Sequence, residues 1–330
     1  MTHARHAHLM SGPLTAALVA ALIALPFVAG NYLTYLTIQI LILSLFALGF
    51  NLLFGYTGLL SFGQAGFYAV GAYTCAKILL VQPSLLLGVV GGTVAAAAVA
   101  VLLGALSVRH TRIYFSMLTL AFGMMIYSVA WKWRDITGGD DGLVGIPRAP
   151  LKMLGAVSIS LSTIEHYYYF VLAVAVLGTF FLYRLVHSPF GLSLQAIRDG
   201  ETRAPFVGMS VTAHRLLAFT IAGLYAGLAG ALLPPLENTV TPVIAHWSSS
   251  ADPILATLLG GIYVFSGPIV GSALFIVVKD LIVRVTVNWS IVLGTVVIIL
   301  VMGFRGGVAG IVAGMVARPR TAPAPAVASK

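Results

Sequence analysis

Four charged residues lie within six positions of one another: Arg198, Asp199, Glu201 and Arg203. Only 8% of the chain is charged, so this cluster is unusually dense for the protein. It belongs to a polar segment, residues 187–213, that separates two long apolar runs. Such a segment is often a solvated loop, but its side chains can also form ion pairs and hydrogen bonds with a partner protein. Spacing alone leaves both interpretations open.

Glycine and small polar residues recur in GYTGLLSFGQAGFYAVGAY at 55–73 and in LGGIYVFSGPIVG at 259–271. Glycine lets helices break or approach closely, and the polar groups freed by a break must be satisfied by protein or water. A broken helix lining a translocation path is one interpretation, and tight helix packing is the other. The residues that would line such a path are Gly58, Ser61, Gln64, Gly66 and Gly261.

Two adjacent carboxylates, Asp140 and Asp141, lie in the glycine-rich sequence TGGDDGL at 137–143. They could bind a metal ion, but no histidine or third acid lies at ligand spacing, so we predict no metal site. A contact with another protein or a simple turn suits them better. The sequence also lacks the GxxxxGK[ST] phosphate-binding motif and any soluble segment of domain length. We therefore predict neither an enzyme nor an ATPase site in this chain.

The composition indicates an integral membrane protein, with 59% hydrophobic residues and a mean hydropathy of +1.02. Several uncharged apolar runs approach or exceed the ~20 residues that a membrane-spanning helix needs. A β-barrel would show short alternating segments instead. We predict an all-α polytopic membrane protein of about 8–10 transmembrane helices, some of them interrupted or re-entrant. The net charge of +9 is scattered at span ends, which argues against nucleic-acid binding.

The charge pattern predicts cytoplasmic N- and C-termini, because the arginine-rich loops then lie inside. The predicted domains are a cytoplasmic tail at 1–13, a transmembrane permease domain at 14–304 and a disordered cytoplasmic tail at 305–330. Within the permease domain, 133–165 is the exoplasmic loop and 187–213 the cytoplasmic loop. We predict that the first span is retained and not cleaved as a signal peptide. The predicted spans are 14–29, 33–54, 58–81, 84–106, 113–132, 166–186, 214–233, 252–265 (short, re-entrant in one interpretation), 267–286 and 290–304.

Four motifs, in order, resemble the LivM-type permeases of branched-chain amino acid ABC importers. The segment at 55–73 resembles the family pattern GLLSLGHAAFFGIGAYT, and TGGDDGL resembles TGGSDGL. The span YFSMLTLAFGMM precedes the second motif, and SPFG with AIRDGE and LLAFTI completes the set at 188–221. The resemblance covers about 32–310. Two positions depart from the pattern: Gln64 replaces a common histidine and cannot carry a charge, and Pro205 would shorten or kink a second coupling helix.

The resemblance implies that the 187–213 loop docks an ATPase subunit, with Gln195, Arg198, Asp199, Glu201 and Gly208 as contact residues. It implies that Asp140 and Asp141 face a solute-binding protein. The expected partners are a LivH-type second permease, two cytoplasmic ATPases, a periplasmic or lipid-anchored binding protein and membrane lipids. This chain would bind no cofactor of its own, and ATP and Mg²⁺ would bind the ATPases. The expected location is the bacterial inner membrane.

The expected cargo is leucine, isoleucine or valine, although related systems carry urea, short amides or aromatic acids. Two other classes of function remain as alternatives. An autonomous ion-coupled carrier or channel would need buried charged residues at mid-membrane, and none is evident there. The charges within the predicted spans are expected near the outer side, at the interface (Lys77, Lys279, Asp280 and Arg284) or in an outer loop (Asp252). A structural membrane scaffold would need neither solute flux nor an ATPase contact.

Overall fold

The computed structural model describes residues 12–28, 30–110, 112–152, 158–159, 163–286, 288–303 and 307–308. Most of the two predicted tails therefore lies outside the described residues. The helices are α1 Gly12–Val28, α2 Asn31–Asn51, α3 Gln64–Val81, α4 Leu85–Ser107, α5 Arg112–Lys132, α6 Arg134–Thr137, α7 Ile164–Val186, α8 Pro189–Asp199, α9 Val211–Ala231, α10 Pro234–Glu237, α11 Ala251–Gly260, α12 Gly267–Val285 and α13 Trp289–Gly303. The strands are β1 Leu143–Val144, β2 Leu151–Lys152, β3 Ser158–Ile159 and β4 Thr239–Val240.

Long apolar helices dominate the described chain and confirm the all-α polytopic membrane fold. In a membrane no water is available to the backbone, and a helix makes the hydrogen bonds of its internal N–H and C=O groups within itself. Long apolar segments therefore fold as helices. Among the described residues, five segments are long and apolar enough to cross a membrane: Asn31–Tyr56, Leu85–Ser107, Ile113–Lys132, Ile164–Val186 and Val211–Glu237.

Close backbone contact between α3, α4 and α9 forms one half of the core. A Cβ atom on Gly71 would lie 2.2 Å from the Gly227 carbonyl oxygen, and one on Gly230 would lie 1.9 Å from the Tyr68 carbonyl oxygen. The backbones of α3 and α9 are therefore in direct contact at these glycines, since glycine has no side chain to keep two helices apart. The other half of the core surrounds α2, which contacts α7, α9, α11 and α12.

The helical path of α2 is interrupted before α3 begins. A π-helical turn, Leu52–Tyr56, extends α2, and residues 58–63 are not helical. The backbone of this interruption is partly satisfied by α5: Ser116 Oγ donates to the Leu60 carbonyl at 2.7 Å, and the Phe62 amide donates to Thr119 Oγ1 at 3.3 Å. Residues 60–63 therefore lie along α5, as expected for a broken segment whose backbone groups need partners in a membrane.

A second interruption precedes α11. Residues 238–250 contain only β4 and two short 3-10 turns, and α11 itself has 10 residues, about half a membrane crossing. The Ala65 amide donates to Ser250 Oγ at 2.9 Å, which joins the N-terminus of α3 to that of α11. The predicted span at 252–265 thus contains a helix of about half the length of a membrane crossing, preceded by an irregular segment.

The segments that connect the helices lie at two opposite ends of the bundle, which their contacts identify. At the Arg198 end, Arg198 reaches the carbonyl of Gly55 and the ring of Tyr263. At the Glu237 end, β1 pairs antiparallel with β4, and Arg148 Nε donates to the Pro235 carbonyl at 2.9 Å. The two loops predicted to face opposite sides therefore lie at opposite ends.

Candidate functional site

The 187–213 loop begins with the amphipathic helix α8. Pro189 starts the helix, where its missing N–H costs no hydrogen bond. Gly191, Leu194 and Ile197 form the buried face at helical spacing. A Cβ on Gly191 would lie 2.0 Å from the Val186 carbonyl oxygen, so α8 packs against the end of α7. This packing fixes the direction of the charged residues that follow.

Arg198 points into the bundle. Its Nη1 donates to the Gly55 carbonyl at 2.5 Å, and its guanidinium carbon lies 5.6 Å from the centre of the Tyr263 ring. Its Nε donates to Asp199 at 3.1 Å. The residue therefore joins the loop to the π-helical turn after α2 and to the connection between α11 and α12. Asp199 has a mostly exposed side chain, so of this pair it is the one presented outward.

Glu201 also has a partner inside this chain. Arg215 Nη1 donates to Glu201 Oε1 at 2.7 Å, and the Arg215 side chain is only 6% exposed. This ion pair ties the loop to the first turn of α9. Gln195 is partly buried on α8, and Gly208 is exposed with a φ of +79°, a conformation that favours glycine. Their predicted contacts with an ATPase stay predictions.

The exposed apolar side chains of the loop were not singled out from the sequence. Phe206 is 89% exposed, and Val207 and Leu192 are also exposed. Phe206 and Val207 lie in a four-residue 3-10 turn, Ala204–Val207, that contains Pro205 near its start. The expected second helix is thus a single short turn, in agreement with the expected effect of Pro205. An apolar pair inside a polar loop is the sequence signal for this surface.

Four of the five predicted path residues lie between positions 58 and 66: Gly58 and Ser61 on the interruption before α3, and Gln64 and Gly66 in the first turn of α3. Gly58 has a φ of +76° and packs beneath the Arg198 side chain. Ser61 and Gln64 are fully buried, and neither polar atom of the Gln64 amide has a hydrogen-bond partner. Gly66 faces Ile126 on α5.

The fifth path residue, Gly261, lies at the Arg198 end. It has a φ of +112°, and its carbonyl oxygen would lie 2.1 Å from a Cβ on Gly267. The neighbouring carbonyl of Ile262 faces Gly55, so the two glycine-rich segments meet there. Their lining of a translocation path stays a prediction.

A cavity of about 420 Å³ lies between α2, α11 and α12. Along α2 its lining extends from Tyr32 to Phe46, about 21 Å at 1.5 Å per residue. It reaches the surface at the Glu237 end, where Tyr32 is about half exposed. Asp252, Lys279 and Asp280 contribute charged groups to the lining. None of the five predicted path residues, all of which the structure describes, lines this cavity.

A row of polar side chains on α2 lines the part of this cavity that is nearest the Glu237 end. Tyr35 Oη donates to Glu237 Oε1 at 2.6 Å, and Gln39 Nε2 donates to the same oxygen at 3.3 Å. Tyr32 Oη donates to Asp280, which also pairs with Arg284 at 3.1 Å. The spacing of Tyr32, Tyr35 and Gln39, one helix face of a span, was the sequence signal for this row.

The sequence placed the charges of α12 at an outer interface and Asp252 in an outer loop. In the structure, Lys279 and Asp252 both line the cavity that opens at the Glu237 end, and they lie close enough to interact electrostatically.

Asp140 and Asp141 are exposed at the Glu237 end. Their loop is held against β4, because a Cβ on Gly142 would lie 2.2 Å from the Val240 carbonyl oxygen. They can therefore meet a partner at this end, although their contact with a binding protein stays a prediction. Within the described ranges, no group of three or more histidine, cysteine or acidic side chains could hold a metal ion.

Comparisons with known proteins agree with this architecture. Residues 32–302 match the family model described as the permease component of branched-chain amino acid transport systems. The high-affinity branched-chain amino acid transport system permease protein LivM of Salmonella typhimurium is 30% identical over 80% of this chain and 67% of its own length. LivM of Escherichia coli is 29% identical over the same shares.

A more distant relative is the probable branched-chain amino acid transport permease protein LivH of Methanocaldococcus jannaschii. It is 26% identical over 73% of this chain and 77% of its own length. No solved structure matches the chain significantly. The resemblance to LivM-type permeases is confirmed, and the protein is a multi-pass membrane transport component. The chain belongs to the family of permease components of branched-chain amino acid transport systems.

Proposed function

We propose that this chain is the LivM-type permease subunit of an ABC importer for leucine, isoleucine and valine in the bacterial inner membrane. It forms one half of the translocation path, together with a LivH-type permease. Two separate ATPases bind at the Arg198 end, which faces the cytoplasm, and supply the energy. A periplasmic or lipid-anchored binding protein delivers the amino acid at the Glu237 end, near Asp140 and Asp141.

The observation that carries this proposal is the position of Arg198. One side chain of the 187–213 loop contacts both interrupted segments, through the Gly55 carbonyl and the Tyr263 ring. A displacement of α8 by an ATPase would therefore move the end of α2 and the end of α11 together. Rigid-body coupling of this kind is how helix shifts at a subunit interface reach a distant site.

The cargo is inferred from the relatives, since LivM and LivH carry branched-chain amino acid transport in their names. The need for separate ATPases is supported by the sequence, which has no GxxxxGK[ST] motif. An exposed Phe206 beside Val207 supports a protein partner at the Arg198 end, because large exposed apolar groups mark interaction sites.

The ion-coupled carrier gains one supporting observation from the structure. Such a carrier needs charged side chains inside the bundle, and Asp252 and Lys279 line an internal cavity. The two candidates differ in their energy source. An ABC importer requires ATP hydrolysis by its partners, whereas a carrier requires an ion gradient.

The decisive experiment purifies the tagged chain from its own host in mild detergent and then reconstitutes the complex into liposomes. We expect a second permease and ATPases to co-purify. We also expect ATP-dependent uptake of labelled leucine that survives a protonophore and a sodium ionophore, with urea and phenylalanine as competing cargo. Recovery of the chain alone, with uptake that ionophores abolish and ATP does not affect, would reject the importer in favour of the carrier.

A further inference from the structure

The cavity between α2, α11 and α12 carries charges of both signs. Asp252 lies in the first turn of α11, and Lys279 lies on α12, about 9 Å from the end of that helix at Val285. The two side chains interact electrostatically across the cavity wall. A ligand with a single charge would leave one of these groups without compensation, which is costly in a site of low dielectric constant.

The remaining wall of the cavity is largely apolar. Its deeper part includes Phe46 and Tyr68, whose rings stack with centroids 5.0 Å apart. Leu43, Phe275 and Ile276 line the same space. A volume of about 420 Å³ lies within the range of roughly 300–1,000 Å³ that is typical of small-ligand sites. The cavity thus combines an apolar pocket with the opposite charges of Asp252 and Lys279, while its third charged group, Asp280, is already paired with Arg284.

We propose that this cavity binds an apolar zwitterion, an α-amino acid, inside the single subunit. The ligand's carboxylate pairs with the Lys279 ammonium group, and its ammonium group pairs with the Asp252 carboxylate. Its side chain contacts Leu43, Phe46 and Phe275. This site goes beyond the predicted path residues, none of which lines the cavity, and it rests on the proposed import function.

The position of the cavity fits a site that is loaded from the Glu237 end. The β4 strand paired with β1 continues into residues 241–250, which line the cavity at Ile244 and Ser249. The floor is the start of α11, whose far end lies beside Tyr263 and Arg198. The segment that lines the cavity, 239–260, therefore has one end beside the β1 loop and the other end beside the 187–213 loop, the two loops that are expected to bind partners.

The test is cysteine protection in the assembled importer. Cys75 is the only cysteine in the sequence and is fully buried, so Cys75→Ser gives a background without reactive thiols. Leu43→Cys then places a thiol in the cavity, and Val144→Cys places one on the exposed loop at the same end as the matched control. The measured quantity is the rate of labelling by N-ethylmaleimide.

We expect leucine to slow the labelling of Leu43→Cys and to leave Val144→Cys unchanged. Leucinamide, which lacks the carboxylate, and 4-methylpentanoate, which lacks the ammonium group, should give no protection at the same concentration. Lys279→Gln and Asp252→Asn should each raise the half-protecting leucine concentration about tenfold or more. Lys132→Gln, a surface change at the same end, should not.

Two results would overturn the site. In the first, the importer takes up leucine but leucine fails to protect Leu43→Cys. In the second, the thiol reacts in the isolated chain and is unreactive in the complex with or without leucine, so a partner subunit covers the cavity. A failure of the import function is distinct from both, because the wild-type complex would then show no ATP-dependent uptake.

Discussion

Arg198 shows how one side chain can connect a surface loop to the interior. Its hydrogen bond to the Gly55 carbonyl is a charge-assisted contact, and such bonds are roughly twice as strong as neutral ones. The carbonyl belongs to a π-helical turn, whose backbone groups lack regular α-helical partners. Arg198 is therefore a positioning residue for the interruption before α3.

We predict that Arg198→Ala lowers the rate of ATP-dependent leucine uptake at least about tenfold, while the ATPases still co-purify. The physical reason is the loss of a hydrogen bond to a charged group, worth about 1.5–3 kcal/mol. Tyr263→Phe, which keeps the ring face, should transport normally, whereas Tyr263→Ala should reduce uptake. Uptake by reconstituted vesicles measures the effect. Normal uptake by Arg198→Ala would show that the contact does not couple the movement of α8 to the end of α2.

Phe206, unlike Arg198, makes almost no contact within this chain, so its side chain is available to a partner protein. We predict that Phe206→Ser weakens binding of the ATPase subunits about 30-fold, the effect of losing ~2 kcal/mol at an aromatic anchor. Phe206→Leu should retain most of the affinity. Titration of the purified ATPase against the permease in nanodiscs measures the change.

Val243→Ser serves as the control for Phe206. Val243 is also an exposed apolar residue, but it lies in the segment that leads from the Glu237 end into the bundle. It should leave ATPase binding unchanged. Equal effects of the two substitutions would indicate a general loss of folding, and no effect of Phe206→Ser would remove the turn from the docking surface.

Among the elements, α8 was predictable in detail from the sequence, whereas the path of the segment at 239–260 was not. The sequence PFGLSLQAIRD has helical periodicity and a proline at its start, so both the helix and its buried face follow from local rules. The segment at 239–250 has no such periodicity, and its path depends on contacts such as that between Ala65 and Ser250, 185 positions apart. Nonlocal contacts of this kind leave no local pattern.

The candidate site divides in the same way. The glycine-rich break before α3 was visible in the sequence because glycine and small polar residues interrupt an apolar run. The direction of Arg198 was not visible, since its carbonyl partner lies 143 positions away. The spacing of Tyr32, Tyr35 and Gln39 was visible, but its meaning required the position of Glu237.

The close backbone contact between α3 and α9 can be tested at Gly71. We predict that Gly71→Ala lowers the free energy of unfolding by about 1–3 kcal/mol, because its Cβ would lie 2.2 Å from a backbone oxygen that cannot move alone. Gly294→Ala is the matched control: nothing lies within 4 Å of its Cβ, and alanine is the better helix former by up to about 1 kcal/mol.

Thermal unfolding of the two variants in the same detergent measures the difference. The Gly71→Ala midpoint should fall below that of the wild type, and the Gly294→Ala midpoint should stay level or rise. Equal midpoints would mean that α3 and α9 separate easily, which would contradict the close backbone contact described above.

For the whole molecule, the proposed function places two kinds of partner at opposite ends of the bundle and therefore on opposite sides of a membrane. The Arg198 end carries the 187–213 loop, and the Glu237 end carries Asp140 and Asp141. The basic residues alone do not decide the orientation, because Lys77, Lys279 and Arg284 lie at the Glu237 end, where the sequence analysis expected them. Lysine and arginine, not net charge, set orientation. The assignment therefore rests on the docking surface of the 187–213 loop.

Cysteine accessibility in spheroplasts tests this orientation directly. In the Cys75→Ser background, Val144→Cys should react with a membrane-impermeant maleimide in intact spheroplasts, because the proposed orientation places its loop outside and the residue is 67% exposed. Phe206→Cys, which is more exposed in this chain, should react only after lysis and release of the ATPases, because the proposed orientation places its turn in the cytoplasm. The reverse pattern would place the ATPases at the Glu237 end. The apolar turn would then lie outside the cell and could not couple ATP hydrolysis to transport.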